Sequence, residues 1–117
     1  MKAWIGVDLD GTLAHSHNDG AIGSIGEPIH SMVERVIGWI KENIEVRIVT
    51  ARVSSNLPPE ERQAATDAIR EWCWTHIGHY LVVTSEKDYG MLELWDDRAI
   101  SIEHNTGKVL TARRQWN

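Results

Sequence analysis

Phenylalanine is absent from this chain of 117 residues, cysteine occurs once and proline three times. The lone Cys73 cannot close an internal disulfide, so a reducing, cytoplasmic setting is expected. It falls in a helical pattern with no cationic neighbour to activate it and reads as an inert, buried thiol. No apolar run approaches the ~20 residues that span a bilayer, so no membrane partner is expected. Met1-Lys2-Ala3-Trp4 leads straight into an apolar strand, so no signal peptide is expected. Basic residues are outnumbered, 12 against 17 acidic, for a formal charge of −5. That balance argues against coating nucleic acid by general electrostatics, though a local basic site stays open. The volume that phenylalanine usually fills falls to six tryptophans, Trp4, Trp39, Trp72, Trp74, Trp95 and Trp116. Most are expected in or beside the core, and one or two on the surface would suit a homo-oligomer interface. Length and composition fit one globular domain over residues 1–117, with a core of about residues 3–103 and a turn and basic tail at 104–117.

What is there is organised around Ile5-Gly6-Val7-Asp8-Leu9-Asp10-Gly11-Thr12-Leu13. The apolar run Ala3–Val7 predicts a short buried strand, and Gly11 is a turn signal that stops it. Alternate residues of a strand share a face, so Asp8 and Asp10 leave its carboxyl end on one side. Two such carboxylates repel unless a positive charge lies between them, and a hard divalent cation such as Mg²⁺ suits oxygen ligands.

Downstream, residues 14–27 form a polar, glycine-punctuated loop carrying His15 and His17. Either histidine could face a substrate or simply be solvated, and no further Cys or His lies near enough to complete a zinc site. Pro28 is expected to open a helix, with Ile29, Met32, Val33, Val36, Ile37 and Ile40 on one face and an end near Asn43. A strand over 45–50 follows and ends in Thr50-Ala51-Arg52; strand, helix and strand make a right-handed crossover unit. Pro58-Pro59 breaks the next loop, and a second helix is expected from Pro59 to Ile77, stopped by Gly78. Strands over 80–84 and 91–95 flank the polar segment Ser85–Gly90, and Asp96-Asp97 closes the latter. A fifth strand is expected over 99–103, then a turn at Asn105-Thr106-Gly107 and a solvated tail with Arg113 and Arg114.

Four stretches thus end at one sheet edge, carrying Asp8 and Asp10, then Thr50, then Lys87, then Asp96 and Asp97. Asp8-Leu9-Asp10-Gly11-Thr12 matches the DxDGT signature of the haloacid dehalogenase-like phosphatases. The later Thr, Lys and acidic pair are similar in order to the other motifs of that family. The resemblance implies an α/β fold: a three-layer Rossmann-like core with a mainly parallel sheet of about five strands. It also implies Mg²⁺-dependent hydrolysis of a phosphate monoester. Asp8 would be the nucleophile, giving an aspartyl-phosphate, and Asp10 the general acid and base. Mg²⁺ would be held by Asp8, the Asp10 carbonyl and Asp96, with Asp97 a ligand or a ligand's partner. Thr50-Ala51-Arg52 would line the phosphoryl group, with Thr50 hydrogen-bonded to it. Lys87 would balance its charge, with Arg52 as the rival cation.

Both intervals where this family inserts a cap domain are filled by the core itself, so a capless member is expected. Such members tend to act on large substrates, and a nucleotide, a nucleic-acid end or a phosphoprotein are all compatible. A signalling receiver domain has similar parts, but its acidic pair follows the first strand and its phosphorylated Asp lies mid-chain. A catalytically silent, regulatory protein with the same fold is the other alternative, and only turnover separates it from an enzyme.

Overall fold

The computed structural model describes residues 2–16 and 21–111. His17, Arg113, Arg114 and Trp116 lie outside these residues. Strand β1 runs Trp4–Asp8 and helix α1 runs His30–Lys41. Strand β2 spans Glu45–Val49, and a short 3₁₀ turn, Ala51–Val53, leads to helix α2, Pro59–Ile77. Strands β3, Val82–Thr84, and β4, Met91–Trp95, complete one sheet in the order β3-β2-β1-β4 with every pair parallel. The expected α/β architecture is present, with no cap among the described residues. Among the described residues, no helix is long and apolar enough to cross a membrane.

Strand alternation decides what the sheet buries. Ile5 and Val7 of β1, with Val46 and Ile48 of β2, join one core cluster with Met32, Val33 and Val36 of α1 and Ile69, Trp72 and Cys73 of α2. Burying each such aliphatic side chain contributes about 1.5–3 kcal/mol, which holds both helices on one face. Burial pushes the Cys73 thiol up to about 12, so it stays protonated and inert, as expected.

Trp4 and Arg47 alternate to the opposite face, where the guanidinium lies 4.4 Å from the indole centroid. A Cβ on Gly6 would meet Val49, Met91 and Trp4 at 2.9–3.2 Å, so only glycine lets these side chains close over the sheet. No helix among the described residues covers this face. Its third layer is the irregular connection 85–90, which carries the chain from one sheet edge to the other. Trp4 Nε1 donates to Asp88 at 2.8 Å, as does the Gly90 backbone at 2.8 Å. These bonds, with Arg47 beside them, hold the Asp88 carboxyl below its ordinary range.

Several boundaries differ from expectation. Pro28 does not open α1; it bridges Ala14 in extended form, and Ile29 is the cap residue. The chain there is held by the turn after β1, through Ile29 N to Leu13 O at 2.8 Å. Helix α1 stops at Lys41, and Asn43 takes φ +62° just beyond it, a left-handed turn that asparagine tolerates. Gly78 ends α2 at φ +84°, as expected. Strand β3 begins at Val82; just before it, the Tyr80 ring stacks on Trp74 of α2 at 4.9 Å.

The described sheet has four strands. Among the described residues, the segment 99–103 pairs with the chain just after it, through Ile102 opposite Val109. Its ribbon turns at Asn105 and Gly107, both at positive φ. A turn at Asp96–Ala99, closed by Ala99 N to Asp96 O at 3.4 Å, separates it from β4.

Candidate functional site

Because β1 and β2 are parallel and in register from Trp4↔Glu45 to Asp8↔Val49, their carboxyl ends emerge side by side. β4 is parallel to β1 as well, so Asp96 and Asp97 arrive at the same end. A cleft of about 410 Å³ lies there, lined by Asp8, Asp10, Thr50, Arg52, Ser85, Asp96 and Arg98, with Val49 and Ala51. Of the residues expected to act together, these include both aspartates of the first strand, the Thr50-Ala51-Arg52 run and Asp96. Lys87 is exposed on the connection after β3 and does not line the cleft. The cations that do are Arg52, anticipated as a rival, and Arg98, which was not anticipated. His15 is exposed.

One wall is acidic. Asp8, Asp96 and Asp97 each offer a carboxylate oxygen, all within 4.8 Å of one another. Asp8 is pushed up to about 7, first by burial, then by the neighbouring charges of Asp96 and Asp97. The Thr12 hydroxyl lies 3.3 Å from Asp8 Oδ2 and 3.1 Å from Asp97 Oδ1, and it accepts from the Asp97 backbone N–H at 3.0 Å. One hydroxyl proton serves only one acceptor at a time, so Thr12 ties the acids together without neutralising them. Gly11, at φ +90°, is the other organiser: a Cβ there would meet the Asp97 carboxylate at 2.7–3.0 Å. The Gly-Thr pair of the motif therefore seats the distant Asp97, a role visible in the sequence only as a turn signal. Crowded hard oxygens, one with its ionised form disfavoured by its neighbours, are the donor set a divalent cation fits.

The other wall is a closed ion pair. Arg52 Nε and Nη2 donate to Asp10 Oδ2 and Oδ1, both at 2.8 Å, the bidentate geometry of a strong charge-assisted pair. The same guanidinium donates to the carbonyls of Ser24 at 2.9 Å and Ile22 at 3.4 Å. Thr50 is buried; its hydroxyl accepts from Arg52 N at 3.2 Å and so starts the turn that aims Arg52 at Asp10.

No protein-family model matches the chain, and no curated protein matches it. Among solved structures, a conserved protein encoded by a locus of Bacteroides thetaiotaomicron is similar at a TM-score of 0.55 and 20% identity. The match covers 85% of this chain and 78% of that one. At that identity the likeness shows the shared α/β fold alone.

Proposed function

We propose that this protein is a divalent-cation-dependent phosphohydrolase that cleaves a phosphate monoester through an aspartyl-phosphate on Asp8. The observation that carries the reading is the cleft itself, lined by Asp8 and Asp96 together with Thr50 and Arg52, with an Asp97 carboxylate oxygen within 4.8 Å of those of both acids. Asp8, Asp96 and Asp97 would hold Mg²⁺, with the Asp10 carbonyl as the further ligand implied by the family resemblance. When bound, the cation would offset the charge of the carboxylates and of the phosphoryl group.

Asp8 Oδ attacks phosphorus and the bond to the leaving oxygen breaks; Asp10 gives that oxygen its proton. Asp10 then takes a proton from water, which attacks the acyl phosphate, releases phosphate and restores Asp8. Thr50 and Arg52 bind the phosphoryl oxygens through a hydroxyl and a planar, forked cation. Lys87 begins two residues past Ser85 on the cleft rim, and its long stem would bring a second positive charge to the phosphoryl group. With no cap among the described residues, macromolecular phosphates such as nucleic-acid ends stay within the substrate class. We place the protein in the cytoplasm.

The test is phosphate release from p-nitrophenyl phosphate, nucleoside monophosphates and end-phosphorylated oligonucleotides, with Mg²⁺, with EDTA, and with Asp8→Asn. Mg²⁺-dependent release that vanishes in Asp8→Asn supports the reading. Absence of release across the panel from folded protein overturns it in favour of a regulatory, non-catalytic role.

A further inference from the structure

We propose that Arg52 is a partner-exchanging positioning residue: at rest it clamps Asp10 and the 21–26 loop together, and an incoming phosphoryl group draws it away from both. The proposal rests on the phosphohydrolase reading for its catalytic half only.

Three observations carry it. Arg52 engages both oxygens of Asp10 at once, so the carboxyl group has neither oxygen free of that contact. To protonate a leaving group, Asp10 must give up at least one of these bonds. The guanidinium also ties down Ser24 and Ile22 through their carbonyls, so one side chain joins the loop to the site. Finally, Arg52 lines the same cleft as Asp8 and Thr50, where a phosphoryl group would sit. A phosphoryl dianion presents the same forked acceptor geometry as a carboxylate with more charge, and so competes directly for the guanidinium. Binding in the cleft therefore costs the loop an anchor and frees Asp10 to move its proton. The loop and the chemistry are linked by exchange of one cation between two acceptors.

The test has two arms. In the first, amide hydrogen exchange across residues 21–26 is followed with Mg²⁺, with and without saturating inorganic phosphate, which needs no turnover. Wild type should exchange several-fold faster there with phosphate. In Arg52→Gln the loop should exchange fast without phosphate and respond no further. Arg52→Lys, which keeps the charge without the fork, should lie between and serves if the glutamine variant does not fold. Exchange indifferent to phosphate in wild type, or slow in both variants, overturns the proposal even if the protein proves a phosphatase.

The second arm compares p-nitrophenyl phosphate, whose leaving group needs little protonation, with an alkyl phosphate, which needs it fully. Because a bound phosphoryl group has already freed Asp10 from Arg52, Arg52→Lys should raise KM on both esters through weaker phosphate binding, with kcat lowered no more on the alkyl ester than on the aryl ester. A kcat loss at least tenfold larger on the alkyl ester would show that Arg52 still holds Asp10 during the reaction and overturn the exchange. Failure of wild type to turn over either ester strikes the phosphohydrolase reading, while the exchange arm still decides the clamp.

Discussion

Asp8 and Asp10 stand two residues apart, one at the end of β1 and one just past it, yet they belong to opposite walls of the cleft. Asp8 faces Asp96 and Asp97, and their charges, with its burial, lift it to about 7. Asp10 faces Arg52, which takes both its oxygens at 2.8 Å. The acidic side gathers three carboxylates within 4.8 Å of one another, a donor set that suits a cation brought from outside. The Asp10 carboxylate is balanced within the chain by Arg52. The two identical side chains differ by environment and not by residue type; in the phosphohydrolase reading, a cation would offset the charges that disfavour ionised Asp8.

The comparison breaks most visibly at Asp8. In the phosphohydrolase reading, Asp8→Asn should lower kcat by at least about 10³-fold, since an amide cannot form the covalent intermediate. Steady-state phosphate release measures this.

The next largest effect is on stability. Saturating Mg²⁺, at about 100 times its dissociation constant, should stabilise the fold by about 2.7 kcal/mol. Thermal unfolding with Mg²⁺ and with EDTA reads the difference. Asp96→Asn with Asp97→Asn should abolish it, whereas Arg52→Lys should leave it unchanged. A Mg²⁺ response surviving the double variant would dissolve the distinction between the walls.

Gly11→Ala should cost about 1–3 kcal/mol, because the new Cβ meets the Asp97 carboxylate at a backbone φ of +90°. Urea unfolding checks it, and the Mg²⁺ response should weaken in parallel as Asp97 is displaced.

A smaller effect separates the walls by pH. The Asp8 value is raised in the folded protein from 3.8 to about 7, so between these values the folded state binds more protons than the unfolded one. Stability of the metal-free protein from this group is therefore greatest at the acid end and falls as pH rises through that window. Added Mg²⁺ should flatten the fall, and Asp8→Asn should remove it; melting temperatures across pH 4–8 supply the measurement.

The smallest change is Thr12→Val. Loss of the hydroxyl between Asp8 and Asp97 should cost about 1 kcal/mol, read by the same unfolding curves.

Periodicity alone located the elements whose ends are marked by strong local chemistry. Helix α2 runs from Pro59 to Ile77 as expected, because a proline opens it and Gly78 closes it at positive φ. β4 likewise matches Met91–Trp95. Elements whose ends depend on distant partners were misjudged. Pro28 looks like a helix opener, but Ala14 holds it in extended form from across the loop. The alternating run at 99–103 has the pattern of a strand, but among the described residues it joins no sheet and pairs within its own ribbon.

The same division holds at the cleft. The local motif in the sequence determined that Asp8, Asp10, Thr50 and the acidic pair Asp96-Asp97 end up at one edge, since parallel strands deliver their carboxyl ends together. It also determined a turn at Gly11 and an inert Cys73. Tertiary structure alone decided that Arg52, and not Lys87, lines the cleft, that Thr12 and Gly11 seat Asp97, and that Arg98 joins the lining. These contacts connect residues as many as 85 positions apart, as Thr12 and Asp97 are. Strand alternation and spacing carry information about neighbours along the chain, whereas which charge meets which across a cleft depends on how separate strands are laid side by side.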